Sequence, residues 1–144
     1  MADGRFDGSD FTDEQKRLFN FYSELLNFRL NSSAINKGAF YDLMWVNPWY
    51  SNFDPQYVYA FLRYHDEDRL LVVVNFNQNE SRYCEVKISE DAVEYMRLRP
   101  TDNGKQSTAT DLFTGEKIEY EIETLGTRGI AMTLEPCGIK ILKL

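Results

Sequence analysis

Histidine is the scarcest functional residue of this 144-residue chain, which has only His65. A serine or cysteine nucleophile usually borrows its base from histidine, so a Ser-His or Cys-His device has one position to use. His65 lies between Tyr64 and the acidic run Asp66-Glu67-Asp68, which reads as a solvated turn rather than a catalytic pocket. Cysteine is nearly as rare. Cys84 and Cys137 lie far apart in or beside strand-like runs, and two buried free thiols are expected in preference to a disulfide. With one histidine and two distant cysteines there is no zinc-ligand spacing, and no metal or cofactor site is expected.

Basic runs are also missing. The 16 Lys and Arg are scattered among 23 Asp and Glu, and the formal charge is −7. Binding to a phosphate backbone needs clustered cations, so nucleic acid is excluded as a partner. No apolar run reaches the roughly 18 residues of a membrane span, and no membrane partner is expected. Met1 to Gly8 lacks the charged start and apolar stretch of a signal peptide. There is no phosphate-binding glycine loop and no dinucleotide fingerprint.

What the chain does have is aromatic residues, 15% of the total, and one amphipathic segment. Residues 1–11 read as a flexible, Gly- and Asp-rich lead-in. Thr12-Asp13-Glu14-Gln15 is a capping box, and Asp13 and Glu14 suit the positive end of a helix dipole. The helix it opens, residues 12–31, is more apolar than a surface helix needs. Leu18, Phe19, Phe21, Tyr22, Leu25, Leu26, Phe28 and Leu30 span an arc of about 200°, about twice the usual stripe. Such a helix is expected to face two bodies at once. Arg29 falls inside the arc near the helix end and is expected to hydrogen-bond the last carbonyls or a neighbouring strand.

Residues 32–144 read as an all-β domain. Strands are expected at 40–46, 57–64, 69–76, 82–88, 108–113, 116–122, 129–134 and 139–144, with a helical turn near 89–96 and a loop at 101–106. The Leu70-Leu71-Val72-Val73-Val74 run is apolar on both faces and belongs centrally in a sheet. Cys84, Val86 and Ile88 alternate with polar residues, and Thr114-Gly115 marks a hairpin. Seven or eight short strands with no alternating helices indicate an antiparallel sandwich or barrel.

Acidic residues fall mostly in turns or on polar strand faces, so no converging acid/base pair is expected; Asp54, beside an aromatic loop, is the one carboxylate of interest. That loop holds Trp45, Trp49, Tyr50, Phe53 and Tyr57 around two prolines. Flat rings of this kind can cover a sheet end, anchor an interface or stack on sugars.

The order of motifs resembles the α-amylase family of glycoside hydrolases. The run Leu18…Phe21-Tyr22-Ser23-Glu24-Leu25-Leu26-Asn27-Phe28-Arg29…Ala34-Ile35…Lys37-Gly38-Ala39-Phe40 is similar to the last barrel helix of those enzymes and its exit. Tyr59-Ala60-Phe61-Leu62-Arg63, Leu70 to Phe76, Asp111-Leu112-Phe113-Thr114-Gly115 and Leu134-Glu135-Pro136 follow in matching order. The loop from Trp45 to Gln56 matches least. The resemblance implies a mainly β, antiparallel Greek-key β-sandwich with one N-terminal helix packed on it. It further implies a non-catalytic accessory domain of a retaining α-glycosidase whose catalytic carboxylates all precede this segment. The partner implied is a (β/α)8 catalytic barrel, met by Phe19, Phe21 and Phe28. The rival reading is an independent carbohydrate-binding module that holds an α-glucan oligosaccharide on Trp49, Tyr50 and Phe53. The compartment stays open, with a secreted or periplasmic parent as one expectation.

Overall fold

The computed structural model describes residues 10–99 and 106–144. Most of the lead-in and of the loop expected at 101–106 lie outside the described residues. The expected helix is α1, Asp13–Asn31, and its capping box forms as read from sequence. The Gln15 N–H donates to Thr12 Oγ1 at 3.2 Å, and the Thr12 N–H donates to Gln15 Oε1 at 2.9 Å. A second, four-residue helix, α2 (Ser33–Asn36), follows at once, with Ser32 as its cap.

Among the described residues, eight strands then build two antiparallel sheets. They are β1 (Ala39–Asp42), β2 (Val58–His65), β3 (Asp68–Asn75), β4 (Arg82–Val86), β5 (Gln106–Asp111), β6 (Lys117–Glu121), β7 (Ile130–Leu134) and β8 (Ile139–Lys143). The larger sheet has the order β1-β2-β3-β8-β5-β6, and β4 pairs with β7 in the smaller one. The chain crosses between layers four times, after β3, β4, β6 and β7, and β8 returns to pair with β3 far back in sequence. Such long returns distinguish this mainly β fold from an up-and-down meander. The short helix α3 (Glu90–Tyr95) occupies the expected helical turn.

The two-faced apolar run of β3 decides the layering. Leu71 and Val73, with Ala60, Leu62 and Leu142, meet Cys84, Val86, Met132 and Leu134 of the small sheet in the main core. Leu70 and Val72, with Ile141, face the other way and meet Ala34, Leu25, Phe28 and Ile35 in a second, smaller core. The large sheet is therefore covered by strands on one face and by α1–α2 on the other. Each large apolar side chain buried this way contributes roughly 1.5–3 kcal/mol.

The junction between the helices and the sheet is held by polar groups. The Asp68 carboxylate accepts from Ser32 Oγ (2.9 Å), Ser33 Oγ (3.3 Å) and the Ala34 N–H (2.9 Å). The Arg63 guanidinium donates to the carbonyls of Ala34 (3.1 Å) and Ile35 (2.7 Å). Gly38 passes so close that a Cβ there would lie 2.1 Å from the Ala34 carbonyl oxygen. The helix enters the sheet through a fixed knot.

Three expectations are corrected by the coordinates. The first strand ends at Asp42 rather than Val46, because Asp42 Oδ1 takes the Met44 N–H and the chain turns there. Arg29 is exposed; the last carbonyls of α1 instead receive the Ser32 N–H and the side-chain amides of Asn31 and Asn36. Cys84 is buried as expected, but Cys137 is exposed in a turn at φ 52°, and both thiols are free.

Candidate functional site

Two regions bring aromatic or apolar groups to the surface in a way that folding alone does not require. The first is α1, which buries none of its residues fully. At about 100° per residue, Phe21, Leu25 and Phe28 share one side, and this side faces the sheet. Phe21 and Phe28 both pack on Phe113, with ring centroids 6.1 and 6.4 Å away. Leu18, Phe19, Tyr22, Leu26 and Leu30 share the next sector, about 120° wide, and all are exposed. Of the three phenylalanines singled out in the sequence, Phe19 points away from the domain while Phe28 joins the domain's own second core. Arg29 lies within the exposed sector.

The second region is the loop between β1 and β2. Its frame is Asn47, whose side chain is wholly buried. Asn47 Nδ2 donates to the carbonyls of Leu43 (3.1 Å) and Lys87 (2.9 Å), and Oδ1 accepts the Lys87 N–H at 2.7 Å. A 3₁₀ turn, Asn47–Trp49, rests on that frame. Trp49 at its end is 84% exposed, and its indole N–H donates to the Trp45 carbonyl at 3.1 Å.

The other two ring residues expected to bind sugar are placed differently. Phe53 is only 4% exposed and belongs to the main core, so it offers no face to a ligand. Tyr50 carries the Lys87 ammonium over its ring at 4.3 Å, so one face is already taken. Tyr57 is likewise covered by the Arg82 guanidinium at 5.1 Å.

The structure instead adds rings from elsewhere. Tyr41 of β1 lies 6.4 Å from Trp45 and 5.6 Å from Tyr95 of α3, and Tyr95 lies 6.3 Å from Tyr64 of β2. The Tyr41 hydroxyl donates to the Asp91 carboxylate and lies 3.5 Å from Ser89 Oγ. Burial, and then the bond to Asp91, push the Tyr41 phenol above its ordinary range. That same bond, with the one from Ser89, holds the Asp91 carboxyl below its own. No sequence period links Tyr95 to Trp45. Only the pairing of β1 with β2 and the landing of α3 bring them together.

Asp54 spends its carboxylate on the Gln56 N–H (3.1 Å) and on Arg82 (3.4 Å), which makes it a turn cap. His65 Nδ1 lies 3.4 Å from the exposed carboxylate of Asp66. Asp68, in the same groove, is committed to the helix junction. Among the described residues no three His, Cys, Asp or Glu side chains group as metal ligands, and no helix is long and apolar enough to cross a membrane.

Comparison with known proteins agrees with this layout. Residues 49–143 match the family model "Alpha amylase, C-terminal all-beta domain". No curated protein sequence matches the chain. Among solved structures, AmyP in complex with maltose aligns with a TM-score of 0.65 at 18% identity, over 93% of this chain and 22% of the other. A variant of AmyP in complex with maltotriose aligns at 0.66 and 19%, with the same coverage. An Anoxybacillus α-amylase aligns at 0.54 and 11%, over 89% of this chain and 23% of its own. The chain thus spans under a quarter of the length of these amylase chains. With residues 49–143 matched across the strands just described, the chain belongs to the family of α-amylase C-terminal all-β domains.

Proposed function

We propose that this chain is the non-catalytic accessory part of an α-amylase-type glycoside hydrolase, and that α1 is the piece by which it holds the catalytic (β/α)8 barrel. The observation that carries the reading is the exposed sector of Leu18, Phe19, Tyr22, Leu26 and Leu30, on the side of α1 turned from its own sheet. A contiguous apolar stripe of this kind on a helix marks an interaction face. In this reading the barrel covers Phe19 and its neighbours, while Phe21 and Phe28 bind α1 to the sandwich. Hydrolysis then falls to carboxylates on the barrel, working through a glycosyl-enzyme intermediate. This chain's part is to stabilise that barrel. The AmyP structures that share the fold are complexes with maltose and maltotriose, which makes α-glucans the ligand class to test.

The test mixes the chain with the parent enzyme's barrel expressed to end before Thr12. The chain alone should show no turnover of maltooligosaccharides, and the mixture should recover activity. Leu26→Asp and Phe19→Asp should abolish recovery while leaving the sandwich folded by circular dichroism. Turnover by the chain alone, or recovery indifferent to those substitutions, sinks the proposal.

A further inference from the structure

Arginines 69, 97 and 99, scattered in the sequence, come together in the folded chain. They line one cleft of about 560 Å³, between the end of α3 and the paired strands β5 and β6, together with Ser107, Tyr120, Leu98 and Leu144. Among the described residues, Glu67 supplies the one side-chain carboxylate of that lining. In a chain whose charge is −7, this is a local surplus of cations.

The guanidiniums are placed in different ways. Arg69 is part-buried and locked: Nε donates to the Met96 carbonyl at 2.7 Å, Nη1 to the Glu67 carboxylate at 2.8 Å, and the group lies over the Tyr64 ring. A guanidinium donates through its last nitrogen as well, and Nη2 of Arg69 is unspent among the described residues. Arg97 is placed by its backbone. The Arg97 N–H donates to the Glu94 carbonyl (3.0 Å) and the Leu98 N–H to the Val93 carbonyl (3.1 Å), which closes α3 with Arg97 at φ 51°. Glycine usually takes that position, because a Cβ is crowded there. Keeping an arginine there costs backbone strain of the kind retained at functional sites. Arg97 lies near enough to Glu67 to join Arg69 in holding that carboxyl below its usual range. Neither Arg97 nor Arg99 spends its guanidinium on another described residue.

Ser107 is an independent mark of a ligand. It is only 7% exposed, and its Oγ is buried without a hydrogen-bond partner among the described residues. Buried hydroxyls are ordinarily bonded. The Tyr120 hydroxyl, across the β5–β6 ladder, does not meet it in bonding geometry. Burial raises the Tyr120 phenol, and Ser107 and then Arg69 draw it part of the way back, so the three groups share one small space.

These donors select an oxyanion. A carboxylate offers oxygens in one plane only, whereas the donors come from β3, from the end of α3 and from β5. A phosphate group presents its oxygens in tetrahedral directions and can meet all of them. The cations form a cluster and not a track, which excludes a polymer backbone. A cleft of this volume holds a small organic ligand, and Leu98 and Leu144 offer an apolar rest beside the charges.

We propose that the cleft binds a small phosphate monoester, its phosphate taken by Arg69, Arg97, Arg99 and Ser107 Oγ and its organic part resting on Leu98 and Leu144. No residue of α1 lines the cleft, so the site is independent of the accessory-domain reading.

The experiment titrates the full chain by calorimetry, near neutral pH and at constant ionic strength, with phenyl phosphate, inorganic phosphate and acetate. Phenyl phosphate should bind saturably and shift the amides of residues 97–99 and 107. Inorganic phosphate should bind about tenfold more weakly, for want of the apolar part, and acetate should not bind measurably. Arg97→Gly suits the left-handed backbone, so it should keep or raise Tm while weakening phenyl phosphate about tenfold, the loss of one charge-assisted bond. Ser107→Ala should weaken it about fivefold without lowering the Tm of the free chain, since the hydroxyl has no partner to lose. Arg128→Gln, at an exposed arginine outside the cleft, should leave binding unchanged.

Absence of saturable phenyl phosphate binding overturns the site. Acetate binding as tightly overturns the choice of phosphate, and inorganic phosphate matching the ester overturns the organic part. Binding that Arg128→Gln weakens as much as Arg97→Gly is diffuse attraction of an anion, which also overturns the site. A free chain destabilised by Ser107→Ala has that hydroxyl bonded within the fold, and its role toward the ligand falls.

Discussion

Replacing Asp68 with alanine removes the carboxylate that ties the helices to the sheet. Three donors lose their acceptor: Ser32 Oγ, Ser33 Oγ and the Ala34 N–H. Ser33 is half-buried and its hydroxyl can turn toward water, whereas Ser32 is only 6% exposed. The Ala34 amide has no outlet to water, because Ala34 is fully buried. Leaving a buried donor unpaired costs about 1–3 kcal/mol, and a part-exposed charged acceptor adds about 1 more. A loss of about 3 kcal/mol in a domain of this size lowers Tm by about 6–12 °C.

The pH dependence has a definite sign. Burial pushes the Asp68 carboxyl up, but the Ala34 amide and the two serines outweigh it, and the net shift is downward. A depressed native value means that the stabilisation is fully present above about pH 4 and is lost as the pH falls through the native value. Asp68→Asn should therefore flatten the acid limb of the stability profile as well as lower Tm at pH 7. The assay is thermal melting by circular dichroism at pH 7, 4 and 3, with amide exchange at residues 31–36 as the local readout. An Asp68→Ala protein within about 1 °C of wild type at pH 7 would refute the idea that this knot holds the helix.

Asn47→Ala should cost about 2–4 kcal/mol, since two buried carbonyls and one amide lose partners at 2.7–3.1 Å. It should also loosen the loop enough to change tryptophan anisotropy; an unchanged anisotropy would separate the frame from the rings. Thiol labelling should find one reactive cysteine per native chain at pH 8 and two after denaturation. Burial pushes the Cys84 thiol up to about 12, while Cys137 is exposed. Two equivalents taken up rapidly by the native protein would contradict the buried position of Cys84.

Local patterns in the sequence carried most of the fold. The capping box, the two-faced β3 run, the Cys84-Val86 alternation and the Thr114-Gly115 hairpin each depend on residues within a few positions of one another, and each formed, although β4 ends at Val86 and leaves Ile88 outside the strand. What local patterns could not convey is where loops land. Phe53 sits in a loop with no period to mark it, yet it fills the main core. Lys87 alternates with apolar neighbours and reads as solvent-facing, yet the Tyr50 ring and Glu85 close over it. Tyr95 joins Tyr41, and through it Trp45, only by tertiary packing, so a search confined to residues 45–57 finds Trp45 but misses the rings beside it. The excess apolar surface of α1 was visible as an arc, but its division into a sheet-facing side and an open side required knowing that Phe113 lies beneath Phe21 and Phe28.

β3 is coated on both flanks, and this sets a rule for anyone moving the domain between proteins. A cut at residue 32 would follow the apparent border between helix and strands. It would also strip Leu25 and Phe28 from the lid over Leu70, Val72 and Ile141, now at most 3% exposed, leave only Ala34 and Ile35 of α2 in place, and open a greasy plane ready to precipitate. The transplantable module begins at Thr12: the helix is as much the sandwich's own outer wall as any neighbour's.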